Sequence, residues 1–188
     1  MEPLNELIKK AHKTLNENRN AKYEITDEVH PRNRNLRRIR ALRDIRKHGV
    51  RAGDLGGYVE SEMNLDQKDD AWIGDAASVF GNASVYGNAY VFGRASVYGD
   101  AEVFGDAEVY GEAYVFGFAA VFDNAWVFDN ATVSDDARVY GAASVSNYAK
   151  VYGEADVSGD AKVSGNAEVS GRAVIDGKQK VSGDERIS

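Results

Sequence analysis

The chain has 188 residues, 43% of them hydrophobic and 28% charged, with a formal net charge of -7; that is room for one domain with a small appendage and too apolar for a disordered chain. No run of 18 apolar residues occurs and no charged-then-apolar leader opens the sequence, so neither a membrane span nor a secretory signal is expected. With no cysteine the chain has no disulfides, thiol chemistry or thiolate metal sites, and a cytoplasmic location is expected.

The apolar content is unevenly built. Leucine occurs seven times and never after Leu65, whereas 17 of the 21 valines share one register of six. Charge is uneven too: residues 1–70 carry 15 Lys/Arg and 13 Asp/Glu, residues 71–188 carry 8 and 17.

In chain order, Leu4, Leu7, Ile8, Ala11 and Leu15 fall on one stripe and Pro3 suits a first helical turn, so residues 1–20 are expected to hold a short amphipathic helix over 3–17. Tyr23 to Thr26 and Leu36 to Ile45 read as β-like runs separated by a turn at Pro31, within a region over 21–70 expected to combine an α+β cap with a first irregular coil. Arg32, Arg34, Arg37, Arg38, Arg40, Arg43, Arg46, Lys47 and Arg51 give nine bases with Asp44 the only acid between them. One reading is a nucleic-acid or anion patch. Alternation along a strand, with an acidic region downstream to pair with, favours a solvated ion-paired face instead. Gly53 to Gly57 lacks the Lys-Ser/Thr of a phosphate loop and reads as a bend into the first coil. Val59 and Leu65 are six apart, after which the Asp66 to Asp70 loop adds two residues.

From Ile73 to Ile187 every sixth residue is Val or Ile, twenty positions in all, and four residues after each comes alanine, unbroken from Ala77 to Ala173. Positions i, i+4 and i+6 do not stay on one face of a helix. They do suit a short strand with Ala and Val inward, two outward residues, and a two-residue corner. Glycine opens that corner at 14 of its 19 sites in the chain, and no proline interrupts the repeat. Three hexapeptides close an 18-residue triangle, so residues 71–188 predict a solenoid of about six and a half coils, roughly 31 Å long at about 4.8 Å per strand. Gln179 and Glu185 replace the last alanines, a polar final coil that protects the open end.

This repeat resembles the left-handed parallel β-helix of the hexapeptide-repeat superfamily, which includes acyltransferases and one class of carbonic anhydrase. Ile39 to Asp44, Gly53 to Glu60 (GDLGGYVE) and Asn64-Leu65 resemble a group of bacterial and phage hexapeptide-repeat proteins labelled transferase or polymer-forming. The resemblance implies an all-β fold, a triangular left-handed parallel β-helix with an N-terminal cap. Enzymes of that superfamily mostly use histidine as base or zinc ligand. Here His12, His30 and His48 all precede the repeat, and no inserted loop breaks its register. No catalytic residue, metal site or cofactor is therefore assigned. Asp123 and Asp129 lie on different edges, and the Asp135, Asp136 and Glu154 trio, though close enough to hold a cation, matches no calcium-loop spacing and reads as solvated corner acids.

Residues 18 apart share a face. The first face (Ile73, Val91, Val109, Val127) displays Trp72, Tyr90, Phe92, Tyr110, Trp126 and Phe128. The second shows Phe80, Tyr98, Tyr114, Phe116 and Tyr152, and the third Tyr86, Phe104, Phe122 and Tyr140. Stacking between strands accounts for many of these. Both outward positions of the first face are aromatic, which marks it as a partner or oligomer interface, and Phe118 and Tyr148 stand at corners where Asn or Asp is expected.

The leading expectation is a non-enzymatic binding or scaffold protein with a protein partner, a homo-oligomer with the trimer favoured. Likeness to phage-borne members gives it the form of an inhibitor of a host defence or regulatory protein, working in the host cytoplasm. The alternatives are an acyltransferase with an inter-subunit site and, as a minor one, a DNA mimic. For the last, 17 acids offset by 8 bases in the repeat give about half the field of a duplex of that length, which carries roughly 18 charges. A nucleic-acid partner is not favoured, and no membrane partner is expected.

Overall fold

A computed structural model describes residues 21–188 together with Pro3 and Glu6; the rest of the expected N-terminal helix, with His12, lies outside the described residues. Three longer strands come first: β1 (Tyr23–His30), β2 (Asn33–Ala41) and β3 (Leu55–Val59). Twenty two-residue strands follow, from β4 (Trp72–Ile73) to β23 (Arg186–Ile187), each ending on a Val or Ile of the six-residue register. Two residues are all that an edge of so narrow a triangle can extend before the chain must turn.

Strands 18 residues apart pair in parallel, Trp72 with Tyr90 and Ile73 with Val91 for instance. They form three sheets of seven, ten and six strands along the first, second and third faces. The result is a parallel β-solenoid of about 7 turns with coils of about 18 residues. Every inward Val and Ala from Ala77 to Val169 has no exposed surface, so the core is one narrow column of small side chains.

The solenoid begins earlier than the regular repeat. Val59 pairs with Val79 and Leu65 with Val85, both 20 residues on, whereas Ile73 pairs with Val91 at 18. Val59, Leu65 and Ile73 therefore make the first coil, and the 66–70 loop absorbs the two extra residues. The cap is continuous with the second face: β1 and β2 are antiparallel, β2 and β3 are antiparallel, and β3 turns the sheet parallel by pairing with Ser78-Val79. This hairpin covers the N-terminal sheet edge, which would otherwise present a row of unpaired groups. No α-helix occurs among residues 21–188; the helical part of the expected α+β cap is reduced to two 3-10 turns, Arg46–His48 and Glu62–Asn64.

Polar ties fix cap to coil. Asn64 is fully buried; its amide nitrogen donates to the carbonyls of Gly81 (3.0 Å) and Ala83 (2.8 Å), while its oxygen accepts from the backbone N–H groups of Glu60 (3.1 Å) and Ser61 (2.9 Å). Lys22, also buried, donates through Nζ to the carbonyls of Asp69 (3.0 Å) and Ala71 (2.8 Å), and burial pushes its pKa down to about 8. Gly57 has no room for a side chain, since a Cβ there would meet the Ala77 carbonyl oxygen at 2.5 Å.

Corners need a left-handed residue, which glycine supplies at no steric cost. Five corners use another residue instead: Asp75, Asp123, Asp129, Asp135 and Asn147, with φ between 51° and 59°. Each side-chain oxygen accepts the corner N–H one coil on, Gly93, Gly141, Asn147, Gly153 and Gly165 respectively, at 3.0 to 3.3 Å. The added hydrogen bond offsets the strain of the left-handed conformation.

Asn64→Ala leaves four backbone groups of the first coil without their buried partner. A loss of roughly 2–4 kcal/mol is expected in urea unfolding. A variant as stable as the parent contradicts the role given to this amide.

Candidate functional site

The outward aromatics divide into two populations. On the second face Phe80, Tyr98 and Phe116 stack with ring centroids 5.0 and 4.9 Å apart. On the third, Tyr86, Phe104, Phe122 and Tyr140 stack at 4.9 Å throughout. On the first, Phe92, Tyr110 and Phe128 stack at 4.8 and 5.1 Å. These spacings match the distance between stacked strands, so the rings follow the backbone ladder and stabilise it as cross-strand pairs. All three faces carry such a ladder, and the first is not distinguished by having one. Phe92, Tyr110 and Phe128 are half-buried ladder members.

Two further expected interface residues are corrected. Trp72 is 1% exposed; it lies beneath the cap, within van der Waals reach of Gly56, and is unavailable to a partner. Tyr90 is half-buried because the His48 ring lies on it at 4.5 Å, while Tyr90 in turn stacks on Phe92 at 4.3 Å. Sequence alone missed this, because nothing in it says that the 3-10 turn after Ile45 folds back on the first face.

The second population takes no part in a ladder. Phe118 (66% exposed), Tyr148 (63%), Trp126 (49%) and Tyr114 (46%) stand out from the rod. Phe118 and Tyr148 occupy separate corners, as the sequence expects. The exposed aromatics are thus distributed around the solenoid, and only Trp126 of them belongs to the first face.

Trp126 lines a groove of about 370 Å³ on that face with Lys47, His48, Asp106, Glu108 and Asn124. The cap closes its head. Lys47 Nζ lies 2.8 Å from Asp106 Oδ1, which also accepts from the Asn88 amide at 3.0 Å. Those hydrogen bonds from Lys47 and Asn88 hold the Asp106 carboxyl below the usual carboxylate range. Burial lowers the His48 pKa, opposed by the nearby Asn88 carbonyl. His48 Nε2 is buried without a hydrogen-bond partner among the described residues. An imidazole has reached the coil, but as a cap-to-rod contact rather than an accessible base.

The basic region does not converge on one patch. Arg38 pairs with Glu28 (3.0 Å), Arg40 with Glu24 (3.1 Å) and Arg43 with Asp70 (3.3 Å), while Arg37 donates to the Arg34 carbonyl at 2.6 Å. Among the described residues four of the nine bases are ion-paired, three of them to acids of residues 21–70 rather than to the repeat, where only Lys47 reaches an acid. Arg34, Arg46 and Arg51 make no ion pair among the described residues. The corner acids are engaged likewise: Asp135 accepts from Gly153 N–H at 3.1 Å and Glu154 pairs with Arg172 at 2.8 Å. No cluster of metal-ligating side chains occurs among the described residues. No helix of the described residues is long and apolar enough to cross a membrane.

Compared with known proteins, the chain matches no family model and no curated protein.

His48 gives a pH signature. Its folded pKa lies below the ordinary value of 6.5, so its contribution to stability is present above pH 6.5 and is lost as pH falls, when the unfolded chain takes up a proton that the folded chain refuses. Thermal unfolding at pH 7.5 and 5.5 is expected to show a smaller drop for His48→Phe, which keeps the stack on Tyr90, than for the parent. An equal drop contradicts this placement of the imidazole.

Proposed function

We propose that this chain is a non-enzymatic binding protein of the hexapeptide-repeat type, which presents side chains on a rigid rod to a protein partner. One observation carries the reading: Trp126, Phe118, Tyr148 and Tyr114 are between 46% and 66% exposed beside three aromatic ladders that already serve the fold. Large aromatics outside any packing role are the residues that dominate protein interfaces. The rod suits such a task, because a backbone fixed by three sheets needs no ordering on binding and leaves only side-chain rotamers to be fixed.

The resemblance to phage-borne members gives the activity its form, an inhibitor of a host defence or regulatory protein in the host cytoplasm. Superfamily habit makes the chain a homotrimer. The competing acyltransferase reading draws on His48 and His30, which both reach a coil; the buried Nε2 and stacked ring of His48, and the His30 Nδ1 that accepts from the Arg32 and Asn33 N–H groups, weigh against it. Replacing His12, His30 and His48 together separates the readings, since an acyltransferase loses turnover and a binding protein keeps its partner.

Two measurements test the proposal. Capture from the natural host is expected to yield a partner with the parent chain and to lose it with Trp126→Ala, Phe118→Ala and Tyr148→Ala combined, at unchanged thermal stability; undiminished capture contradicts the assignment. Sedimentation is expected to give a species near three times the monomer mass of 20.5 kDa, and a monomer would remove the trimer.

A further inference from the structure

On the first face, Tyr90, Glu108 and Trp126 occupy one outward column at intervals of one coil, Glu108 being in register with both. Adjacent positions in such a column lie about 4.8 Å apart. Glu108 is thereby placed between two aromatic positions, of which Tyr90 is covered by His48 and Trp126 is 49% exposed. Glu108 is half-buried, and its carboxylate makes no hydrogen bond or ion pair among the described residues. Its neighbours differ in this respect: Asp106 holds Lys47 and Asn88, and Glu112 holds Arg94 at 3.0 Å. The groove around Glu108 and Trp126, about 370 Å³ in volume, has room for one long side chain.

We propose that this groove receives a single arginine side chain of the partner protein, its guanidinium paired with the Glu108 carboxylate and its flat face on the Trp126 indole. The proposal rests on the protein-binding reading above and names the chemistry of the contact. A planar cation matches both parts of the site, stacking on the ring while its edge donates to the carboxylate. Charge complementarity favours a basic partner, since residues 71–188 carry 17 acids and 8 bases. Charge also limits the number of arginines. Lys47 stands at the head of the groove, so a run of basic residues reaching past the arginine in that direction would meet a like charge.

The chain carries its own probe, because its two tryptophans are the buried Trp72 and the exposed Trp126. Their indole N–H signals in a ¹⁵N-labelled sample are followed while the acetylated, amidated pentapeptide Gly-Gly-Arg-Gly-Gly is added. The Trp126 signal is expected to move and saturate at concentrations on the order of millimolar, with Trp72 unmoved as the internal check on folding. The citrulline analogue, which lacks the charge, is expected to leave both signals in place. Glu108→Gln is expected to weaken binding about tenfold. Asp160→Asn, at an exposed corner three coils beyond Asp106, is expected to change nothing. An unmoved Trp126 signal at saturating peptide overturns the proposal, and so does equal weakening by Glu108→Gln and Asp160→Asn, which is the mark of diffuse attraction to an acidic rod. If the peptide fails while host-partner capture still depends on Trp126, the arginine site falls and the binding reading stands. If the peptide binds while capture ignores Trp126, Phe118 and Tyr148, the groove's affinity for arginine stands, but its use by the partner falls with the broader reading.

Discussion

The inward register of Val and Ala is the constraint on which the rest of the structure depends. A triangle with two-residue edges has room inside only for small side chains, and from Ala77 to Val169 none of them retains exposed surface. Leucine, with a longer side chain, is absent from the regular coils and appears at Leu65 in the irregular first one. Because side chains alternate along a strand, the same register decides which residues face water. The outside of the rod is thereby freed from the core, and its chemistry varies from coil to coil without disturbing what holds the coils together.

That freedom is used in three ways. The outward position after each register valine stacks aromatic rings at the strand spacing on all three faces and reinforces the ladder, and further along the rod it becomes serine, as at Ser146, Ser158 and Ser164. Corner residues tie coil to coil, through carboxylates that accept the next corner N–H and through pairs such as Arg172 with Glu154 at 2.8 Å. Among the side chains that neither stack nor tie are Trp126, Phe118, Tyr148, Tyr114 and Glu108 with its unpartnered carboxylate. The case for a binding function is made on this remainder, and it becomes visible only after the structural uses have been subtracted.

The rod was legible in the sequence because its cause is local and repeated. Every sixth residue reports the same environment, and the two-residue offset in the 66–70 loop can be counted, which extends the expected six and a half coils to about 7 turns once Val59 and Leu65 are seen to pair. The cap was much less legible. Its hairpin follows from the turn at Pro31, but the docking of Lys47 and His48 on the first face depends on long-range packing, and no periodicity encodes it. For the same reason Trp72 and Tyr90 read as surface from their column, although the cap covers one and stacks a ring on the other. The exposed corner aromatics Phe118 and Tyr148 stood out by breaking the corner pattern, whereas the vacancy at Glu108 required knowing where every neighbouring charge finds its partner.

If the inward register carries the fold, deletions in the repeat should be judged by length modulo six. Removing Gly153 to Ser158 takes out six residues, shifts every later outward column by one face, and leaves all Val and Ala inward. Removing Ser158 alone turns each later side chain to the opposite face. Thermal unfolding of the two variants is the most direct measurement. The six-residue deletion is expected to unfold cooperatively within a few degrees of the parent, roughly the shift of a 1–2 kcal/mol change, and the single deletion to lose its C-terminal coils. Equal loss of structure in both would contradict the account, because it would place the stability of the rod in its outward columns.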